Sequence, residues 1–404
     1  MPQTGVTKAG RLLMFVSGVA LLGYGLHHYG VLKRGAPAAT PGASAAPTRT
    51  GATVKLSLLY GSEKEKWLKA AVDEYAQKKP EVEVVLKPMG TIDAVRAIAD
   101  GRETPVVWSP ADEIALNLLD TEWSLQKGTT IVERAGDLAP QPLVVTPLVM
   151  IAWEERAKVM AAAAKGDPTD WTVIHALATN PRGWMGVGGS GDWGYVKPGH
   201  TAPNASNSGL QAVILMAYGF HHKHSGLKPA DILNEGFQKW LREIETAVGK
   251  FGASSGTYMR EMILYGPSKY DLTWNYESVA ISDMAAAQGR WGNLAVYYPK
   301  PTLWSNHPFV VLKGAWVTPE QRAAARDLRD FLLSPEVQTR ALAFGFRPAN
   351  PDVKVLGSDP DNPWNRLKPY GVRLDVPAVA EPPSGEVTRL LLETWRRVVE
   401  PQSR

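Results

Sequence analysis

The sequence contains no cysteine among its 404 residues. This absence excludes disulfide bonds, thiolate metal sites, cysteine nucleophiles and an N-terminal cysteine that carries a lipid. An excess of charge of one sign is also lacking, because 44 lysines and arginines face 40 aspartates and glutamates, which leaves a formal net charge of +4. Since the cationic residues are interspersed with acidic ones and form no basic block, nucleic acid is not expected as a partner.

Length and composition predict a globular protein with two lobes. The chain is too long for one ordinary core and suits two lobes of roughly 150–200 residues each. Its 44% hydrophobic and 21% charged residues are typical of folded proteins. Most of the chain is therefore expected to fold.

The N-terminal region predicts export. An apolar run extends from Leu12 to Leu32, and its length of roughly 20 residues favours an uncleaved anchor in the inner membrane. A cleaved signal peptide stays open as the alternative, because small-residue sites follow at Ala36–Ala38 and Ala43–Ala45. Residues 1–34 are thus predicted to be an anchor or signal segment, and residues 35–52 an Ala/Pro/Gly-rich linker. Both alternatives place the folded part outside the cytoplasm.

Strands alternate with helices at the start of the folded part. Val54–Tyr60 and Val82–Leu86 have the pattern of strands. Between them, apolar residues recur at the spacing of a helix, namely Trp67, Leu68, Ala71, Val72 and Tyr75. This alternation predicts a parallel, doubly wound α/β sheet, in which ligands lie beyond the carboxyl ends of the strands. Ser62 and Ser109 are therefore predicted to face a ligand, with simple helix capping as the alternative for each.

Two crossovers are predicted between the lobes. The first is Pro142–Trp153, where Pro147 in the middle argues against one central strand and for an extended chain that bends. The second is placed between the strand-like segments Leu272–Ile281 and Leu294–Tyr298. The resulting limits are residues 53–145 for the first part of lobe 1, residues 146–291 for lobe 2, and residues 292–404 for the rest of lobe 1 with a C-terminal helix.

A polar loop leads into an apolar helix at Lys197–Leu210, with the sequence KPGHTAPNASNSGL. Thr201, Ser206, Asn207 and Ser208 supply directional hydrogen bonds there, and the start of the helix favours an anionic group. A solvent-exposed loop of the same composition is the alternative. The segment is a candidate for ligand binding.

Motifs of other chemistries lack their structural context. Gly186–Gly191 satisfies GxGxxG, but the residues after it cannot open a helix, so a dinucleotide site is rejected. The histidines of His221–His224 have no carboxylate or cysteine ligand at matching spacing, so a metal site is not predicted. No catalytic triad or pair of carboxylates stands in a recognisable context. We therefore expect neither catalysis nor a cofactor.

Several motifs in a consistent order carry a resemblance to a known family. They are VWSPADE at Val107–Glu113, PRGW at Pro181–Trp184, KPGHTAPNASNSGL at Lys197–Leu210, YES at Tyr276–Ser278, WSNHPFVVL at Trp304–Leu312 and GFRPANP at Gly345–Pro351. Together they resemble the type II extracellular solute-binding proteins of bacteria. The resemblance is closer to the solute-binding region of proteins that often continue into a von Willebrand factor A domain.

The resemblance implies a two-lobed fold that captures a small molecule or ion in the cleft between the lobes. Carried over by position, the residues that would face the ligand are Ser62, Ser109, Thr201, Ser206, Asn207, Ser208, Gly209, Tyr276 and Glu277. Trp304, Ser305 and His307 lie near the return crossover, where a structural role is the alternative. The implied partners are an ABC permease or a separate protein with a von Willebrand factor A domain. A tethered interaction or scaffold protein without transport stays open as a second function.

Overall fold

The structure is a computed structural model that describes residues 53–287 and 289–400. The predicted anchor or signal segment and the linker lie outside the described residues. Within the described part, no helix is long and apolar enough to cross a membrane. These residues form one compact unit, so the residue limits predicted for the lobes stay predictions.

Ten strands and fourteen helices make up the described part. The strands are β1 Val54–Tyr60, β2 Val82–Pro88, β3 Val107–Ser109, β4 Gln141–Pro142, β5 Val144–Trp153, β6 Leu272–Tyr276, β7 Leu294–Tyr297, β8 Trp304–Ser305, β9 Pro308–Val311 and β10 Arg347–Pro348. The helices are α1 Glu65–Lys78, α2 Thr91–Ala99, α3 Glu113–Lys127, α4 Glu154–Ala164, α5 Trp171–Ala178, α6 Asn207–His221, α7 Pro229–Leu233, α8 Glu235–Thr246, α9 Ser255–Tyr265, α10 Glu277–Asp283, α11 Pro319–Leu332, α12 Pro335–Ala343, α13 Pro363–Arg366 and α14 Gly385–Val398.

The first lobe is built on a sheet of order β2-β1-β3-β9-β4. Strand β1 is parallel to β2 and β3, whereas β9 is antiparallel to β3 and β4. The prediction of a parallel sheet is thus confirmed for its first three strands, and the whole sheet is mixed. Helices α1, α2, α3, α11 and α12 pack with this sheet and with one another. In α1 the buried face consists of Trp67, Leu68, Ala71, Val72 and Tyr75, as the helical spacing predicts.

The second lobe is built around β5. This strand pairs antiparallel with β6, β7, β8 and β10, so the expectation that Pro147 prevents a central strand is wrong. The reason is the position of Pro147 along β5. It lies opposite Trp304 of the short strand β8, and the pairing with β6 begins only at Leu148. The missing N–H therefore falls where β5 changes partners. Helices α4 to α10 belong to this lobe.

The chain passes between the two sheets three times. It leaves the first sheet between β4 and β5 and returns between β8 and β9, which is later than the predicted return near residue 291. Strand β7 still pairs with β5 in the second sheet. After α12 the chain reaches the second sheet once more, because β10 pairs with the start of β5. The strand predicted for Leu272–Ile281 also differs, since it ends at Tyr276 and α10 begins at Glu277.

The buried core is continuous across the lobes. One cluster of buried apolar residues contains side chains of α2 and α3 from the first lobe and of α6 and β5 from the second. A second cluster fills the far side of the first sheet, beneath α1 and α11. The interface between the lobes is therefore a packed surface in this conformation, and polar side chains are inserted into it at few places.

Candidate functional site

A cavity of about 140 Å³ lies between the two lobes. From the first lobe it is lined by the turn after β1 and the start of α1, and from the second by the first turn of α9 and by α10. The lining residues are Ser62, Glu63, Glu65, Lys66, Trp67, Ser254, Gly256, Thr257, Arg260, Val279, Ser282, Asp283, Phe344 and Phe346. Ser62 is thus the one predicted site residue that lines this cavity.

Besides the buried Glu63, each lobe brings one charge of each sign to the rim of this cavity. Glu65 and Lys66 come from the first lobe, and Arg260 and Asp283 come from the second. The Nζ of Lys66 lies 3.5 Å from Oδ1 of Asp283 across the cleft. Because Lys66 is mostly exposed, this ion pair contributes little energy by itself. The arrangement is complementary to a small solute that carries both charges or only polar groups.

A buried ion pair forms part of the cavity floor, which Glu63 lines. Lys64 is fully buried, and its Nζ donates to Oε1 of Glu63 at 2.9 Å and to the carbonyl oxygen of Ser109 at 2.9 Å. Burial by itself would raise the pKa of Glu63, but the charge of Lys64 beside it holds that pKa well below its usual range. The carboxylate of Glu63 is therefore ionised, and the pair joins the ends of β1 and β3.

His307 lies against the same pair in a strained conformation. Its φ of 39° is in the left-handed region, which is uncommon for a residue other than glycine. Burial and the charge of Lys64 lower its pKa to about 4, so the ring is neutral at pH 7. Nδ1 is 3.3 Å from Oε1 of Glu63, yet within the described residues neither ring nitrogen has a partner of hydrogen-bond geometry.

Asp112 joins the two lobes. Its Oδ1 caps α3 by accepting from the N–H groups of Ile114 and Ala115 at 3.1 and 3.3 Å. Its Oδ2 accepts from Nδ2 of Asn207 at 2.7 Å and from Nε2 of Gln211 at 2.6 Å, one turn apart on α6 of the second lobe. Burial raises the pKa of Asp112 to about 6, although these four donors oppose the shift. The carboxylate of Asp112 thus caps α3 and also binds α6 of the other lobe.

Buried polar atoms without a partner converge around Asp112. In the described part of the chain they include Oγ of Ser109, Oδ1 of Asn207, Oε1 of Gln211 and both ring nitrogens of His307. Leaving such a group unpaired costs about 1–3 kcal/mol. Other unpaired atoms occur elsewhere among the described residues, three of them tryptophan N–H groups. The atoms around Asp112 come from both lobes, so they are unsatisfied hydrogen-bonding groups at the interface itself.

The remaining polar residues of the predicted loop bind one another. Oγ1 of Thr201 and Oγ of Ser208 are 2.8 Å apart, and Ser208 lies 2.8 Å from Oγ of Ser255. Oγ of Ser206 is 3.5 Å from the same Ser255. The N–H of Gly209 donates to Thr201 at 2.9 Å, and a Cβ at this glycine would lie 1.9 Å from the Thr201 carbonyl oxygen. The structure therefore brings these four residues together inside the second lobe.

Tyr276 and Glu277 are adjacent in sequence but serve different contacts. The hydroxyl of Tyr276 accepts from Nδ2 of Asn207 at 3.2 Å, so it belongs to the interface around Asp112. Glu277 accepts from Nε and Nη2 of Arg347, each at 2.8 Å, and from the hydroxyl of Tyr298. Its buried charge is thus neutralised by an arginine, so Glu277 does not by itself disfavour an anionic solute.

Two larger grooves on the surface do not involve the first lobe. They measure about 630 and about 320 Å³ and meet near Lys300, between the second lobe and residues 368–373. Closure of the two lobes cannot enclose a solute in either groove. The cavity between the lobes and the polar cluster around Asp112 therefore form the candidate site.

Comparison with known proteins agrees with this architecture. The profile of a family described as bacterial extracellular solute-binding protein matches residues 56–347. A search of curated proteins by sequence finds no match. Similar solved structures include a periplasmic thiamin-binding protein, 12% identical with a TM-score of 0.59, where the alignment covers 88% of this chain and 99% of the other.

Two further structures extend the comparison. The periplasmic binding protein AfuA from Actinobacillus pleuropneumoniae, solved with fructose-6-phosphate, is 14% identical with a TM-score of 0.56 and coverage of 86% and 98%. The sulfate-binding protein SubI from Mycobacterium tuberculosis is 15% identical with a TM-score of 0.51 and coverage of 86% and 99%. At such identities the likeness shows the two-lobed periplasmic-binding-protein fold.

Proposed function

The chain belongs to the bacterial extracellular solute-binding protein family, and from this premise we propose that it captures one small polar solute between its lobes without transforming it. The observation that supports the proposal is the convergence, around Asp112, of unpaired polar atoms from both lobes, which belong to Ser109, Asn207, Gln211 and His307. A solute that pairs with these atoms stabilises the closed arrangement in preference to an open one.

The cavity suggests the chemistry of the solute. Its volume of about 140 Å³ is below the range of about 300–1,000 Å³ that is typical for drug-sized ligands. Because each lobe contributes one cation and one carboxylate to the rim, a zwitterion such as an amino acid is a better match than a simple anion. We therefore propose a small zwitterionic or polyhydroxylated solute that contacts Ser62 in this cavity. Ser109, Asn207 and Tyr276 belong to the buried cluster around Asp112, and we propose that they contact the solute from there.

A ligand screen tests the proposal. We expect thermal-shift measurements across amino acids, polyamines, sugars, sulfate and phosphate to yield one class that raises the melting temperature, confirmed by calorimetry. Asn207→Ala should then weaken binding of that solute about tenfold, because it removes one hydrogen bond and leaves another buried group unpaired. Asn293→Ala, at an exposed asparagine of the same lobe, is the matched control. Equal affinities for both variants and the wild type would place the solute elsewhere.

Location and delivery follow from the family and the N-terminal sequence. We propose that residues 12–32 hold the protein at the inner membrane, and that the captured solute passes to an ABC permease. A partner with a von Willebrand factor A domain is the further proposal that the sequence motifs support. Cell fractionation distinguishes an uncleaved anchor from a cleaved leader. A cleaved leader releases the protein into the soluble extracytoplasmic fraction, whereas an anchor keeps the protein in the membrane fraction.

One observation favours a second function. The apolar core runs without interruption from the first lobe into the second, and such an interface also suits a rigid, tethered scaffold that never opens. A scaffold would bind no solute in the screen and would show no change of shape in solution scattering. Compaction on addition of a solute would exclude this second function.

A further inference from the structure

The C-terminal helix α14 contacts both lobes. It packs against α3 of the first lobe and against α7 and α8 of the second. Its buried face comprises Gly385, Val387, Thr388, Leu391, Leu392, Thr394, Trp395 and Val398. The apolar members of this face lie in the same buried cluster as the apolar residues of α3. Any separation of the lobes must therefore break one of the two contacts of α14.

Polar contacts fix the C-terminal end of α14 to the second lobe. Nε1 of Trp395 donates to the buried Oε1 of Glu245 at 3.0 Å. Nε of Arg242 donates to the carbonyl oxygen of Val398 at 3.2 Å, and Nη2 of Arg397 donates to Oε1 of Gln238 at 3.0 Å. These contacts place the end of the helix on α8 and hold it with directional bonds.

The chain before α14 is fixed to the second lobe as well. The N–H of Glu381 donates to the carbonyl oxygen of His224 at 2.8 Å, and Tyr218 donates its hydroxyl to the Glu381 carbonyl oxygen at 2.6 Å. Val379 forms a bridge with Thr302. Both flanks of α14 are thus attached to the second lobe through hydrogen bonds.

The contact with the first lobe is of a different kind. A Cβ at Gly385 would lie 2.1 Å from Oγ1 of Thr121 and 2.4 Å from the carbonyl oxygen of Asn117, so the two helices approach at backbone distance. Among the described residues, the hydrogen bonds that leave 379–398 for other elements all end on the second lobe. The contact between α14 and α3 is close-packed and apolar, and it can separate without leaving buried polar groups unpaired.

We propose that α14 is a strap carried by the second lobe, which docks on α3 and shifts the lobes toward the closed form before any solute binds. This inference rests on the proposed opening and closing of the lobes. A strap of this kind raises the fraction of molecules that are ready to bind, so it tightens the apparent affinity without touching the solute.

Spin labels across the cleft test the strap. Because the chain lacks cysteine, Lys69→Cys and Ala286→Cys, both exposed and one on each lobe, give a single labelled pair for pulsed electron resonance. In the solute-free protein Gly385→Val should shift the distances to longer values, since the three atoms nearest to a Cβ at this position all belong to Thr121 and Asn117 of α3. Glu386→Gln, exposed and adjacent, should match the wild type. Superimposable distances for Gly385→Val and the wild type would overturn the strap.

A variant on the other side of the contact covers the case in which Gly385→Val fails to fold. Thr121→Leu enlarges a half-buried side chain of α3 that faces Gly385 and leaves the backbone of α14 unchanged. It should speed hydrogen exchange at Ile92, whose N–H donates to the Ala205 carbonyl oxygen across the lobes at 3.3 Å. Equal exchange in Thr121→Leu and the wild type would overturn the strap. Failure of the proposed solute binding would be seen separately, because no compound of the thermal-shift screen would then bind the wild-type protein.

Discussion

Asp112 is a buried carboxylate whose hydrogen-bond donors come from both lobes. Its burial raises the pKa from 3.8 to about 6, which means that the folded protein binds this proton more tightly than the unfolded chain does. Between these two values the folded state holds more protons, so the contribution of Asp112 to stability decreases as the pH rises from about 4 to 6. His307 acts in the opposite direction, because its pKa is lowered to about 4.

The variant Asp112→Asn should separate these two effects. The relevant quantity is the difference between the free energy of unfolding of the wild type and that of Asp112→Asn. We expect this difference to fall by at most about 3 kcal/mol between pH 4 and pH 6 and then to level off. Urea unfolding at four pH values measures this difference, in which His307 and other groups cancel. A difference that rises with pH would show that Asp112 is stabilised as a charge by its partners.

Sequence reasoning found part of the residues at this interface. Ser109 and Asn207 were predicted from strand ends and a helix start, and the structure places both beside Asp112. Asp112 and Gln211 were missed, although two signals were present: an aspartate directly before a helix, and a spacing of four residues between Asn207 and Gln211. Which residues of one lobe meet which residues of the other depends on tertiary packing. A local sequence pattern does not contain that information.

At the scale of elements, one ion pair joins three segments that are remote in sequence. Arg347 of β10 binds Glu277 at the start of α10, and its Nη1 and Nη2 also donate to the carbonyl oxygens of Leu374 and Arg373 at 2.8 Å. Both charged side chains are almost completely buried. The pair fixes β10 against β5, close to the places where the chain passes between the sheets.

Arg347→Met should therefore lower the free energy of unfolding by about 3–5 kcal/mol, because Glu277 would remain as a buried charge without a cation. The double variant Arg347→Met with Glu277→Gln should recover much of the loss, and chemical denaturation of all three proteins measures it. A single variant as stable as the wild type would mean that water reaches Glu277. The exposed pair Arg389 and Glu393 offers the control, since Arg389→Met should cost less than about 1 kcal/mol.

Elements whose position is determined by a local sequence pattern could be predicted, whereas elements that depend on distant segments could not. Helix α1 was predicted to the residue on its buried face, because amphipathic spacing is a property of the sequence itself. The central strand β5 was not, because Pro147 is acceptable only between the end of the pairing with β10 at Val145 and the start of the pairing with β6 at Leu148. The end of β6 at Tyr276 was missed for a related reason, since Val279, Ala280 and Ile281 of α10 prolong the strand-like pattern beyond Glu277 and Ser278.

For the whole molecule, the continuous core predicts cooperative unfolding. Since apolar side chains of both lobes share one cluster, we expect a single calorimetric transition whose van't Hoff and calorimetric enthalpies agree. Two resolved transitions would show that the lobes fold independently and that the shared core contributes little. The same experiment with Gly385→Val indicates how much of the coupling depends on α14.

The position of β9 has a consequence for how the protein is made. This strand lies between β3 and β4 in the first sheet, yet it follows β5, β6, β7 and β8 of the second sheet in the chain. A chain that emerges from its N-terminus onward can form β1, β2 and β3 early, but their sheet keeps an open edge until residues 308–311 arrive. The first sheet therefore stays incomplete while most of the second lobe is synthesised, and during that interval its open edge is the surface on which unwanted strand pairing can occur.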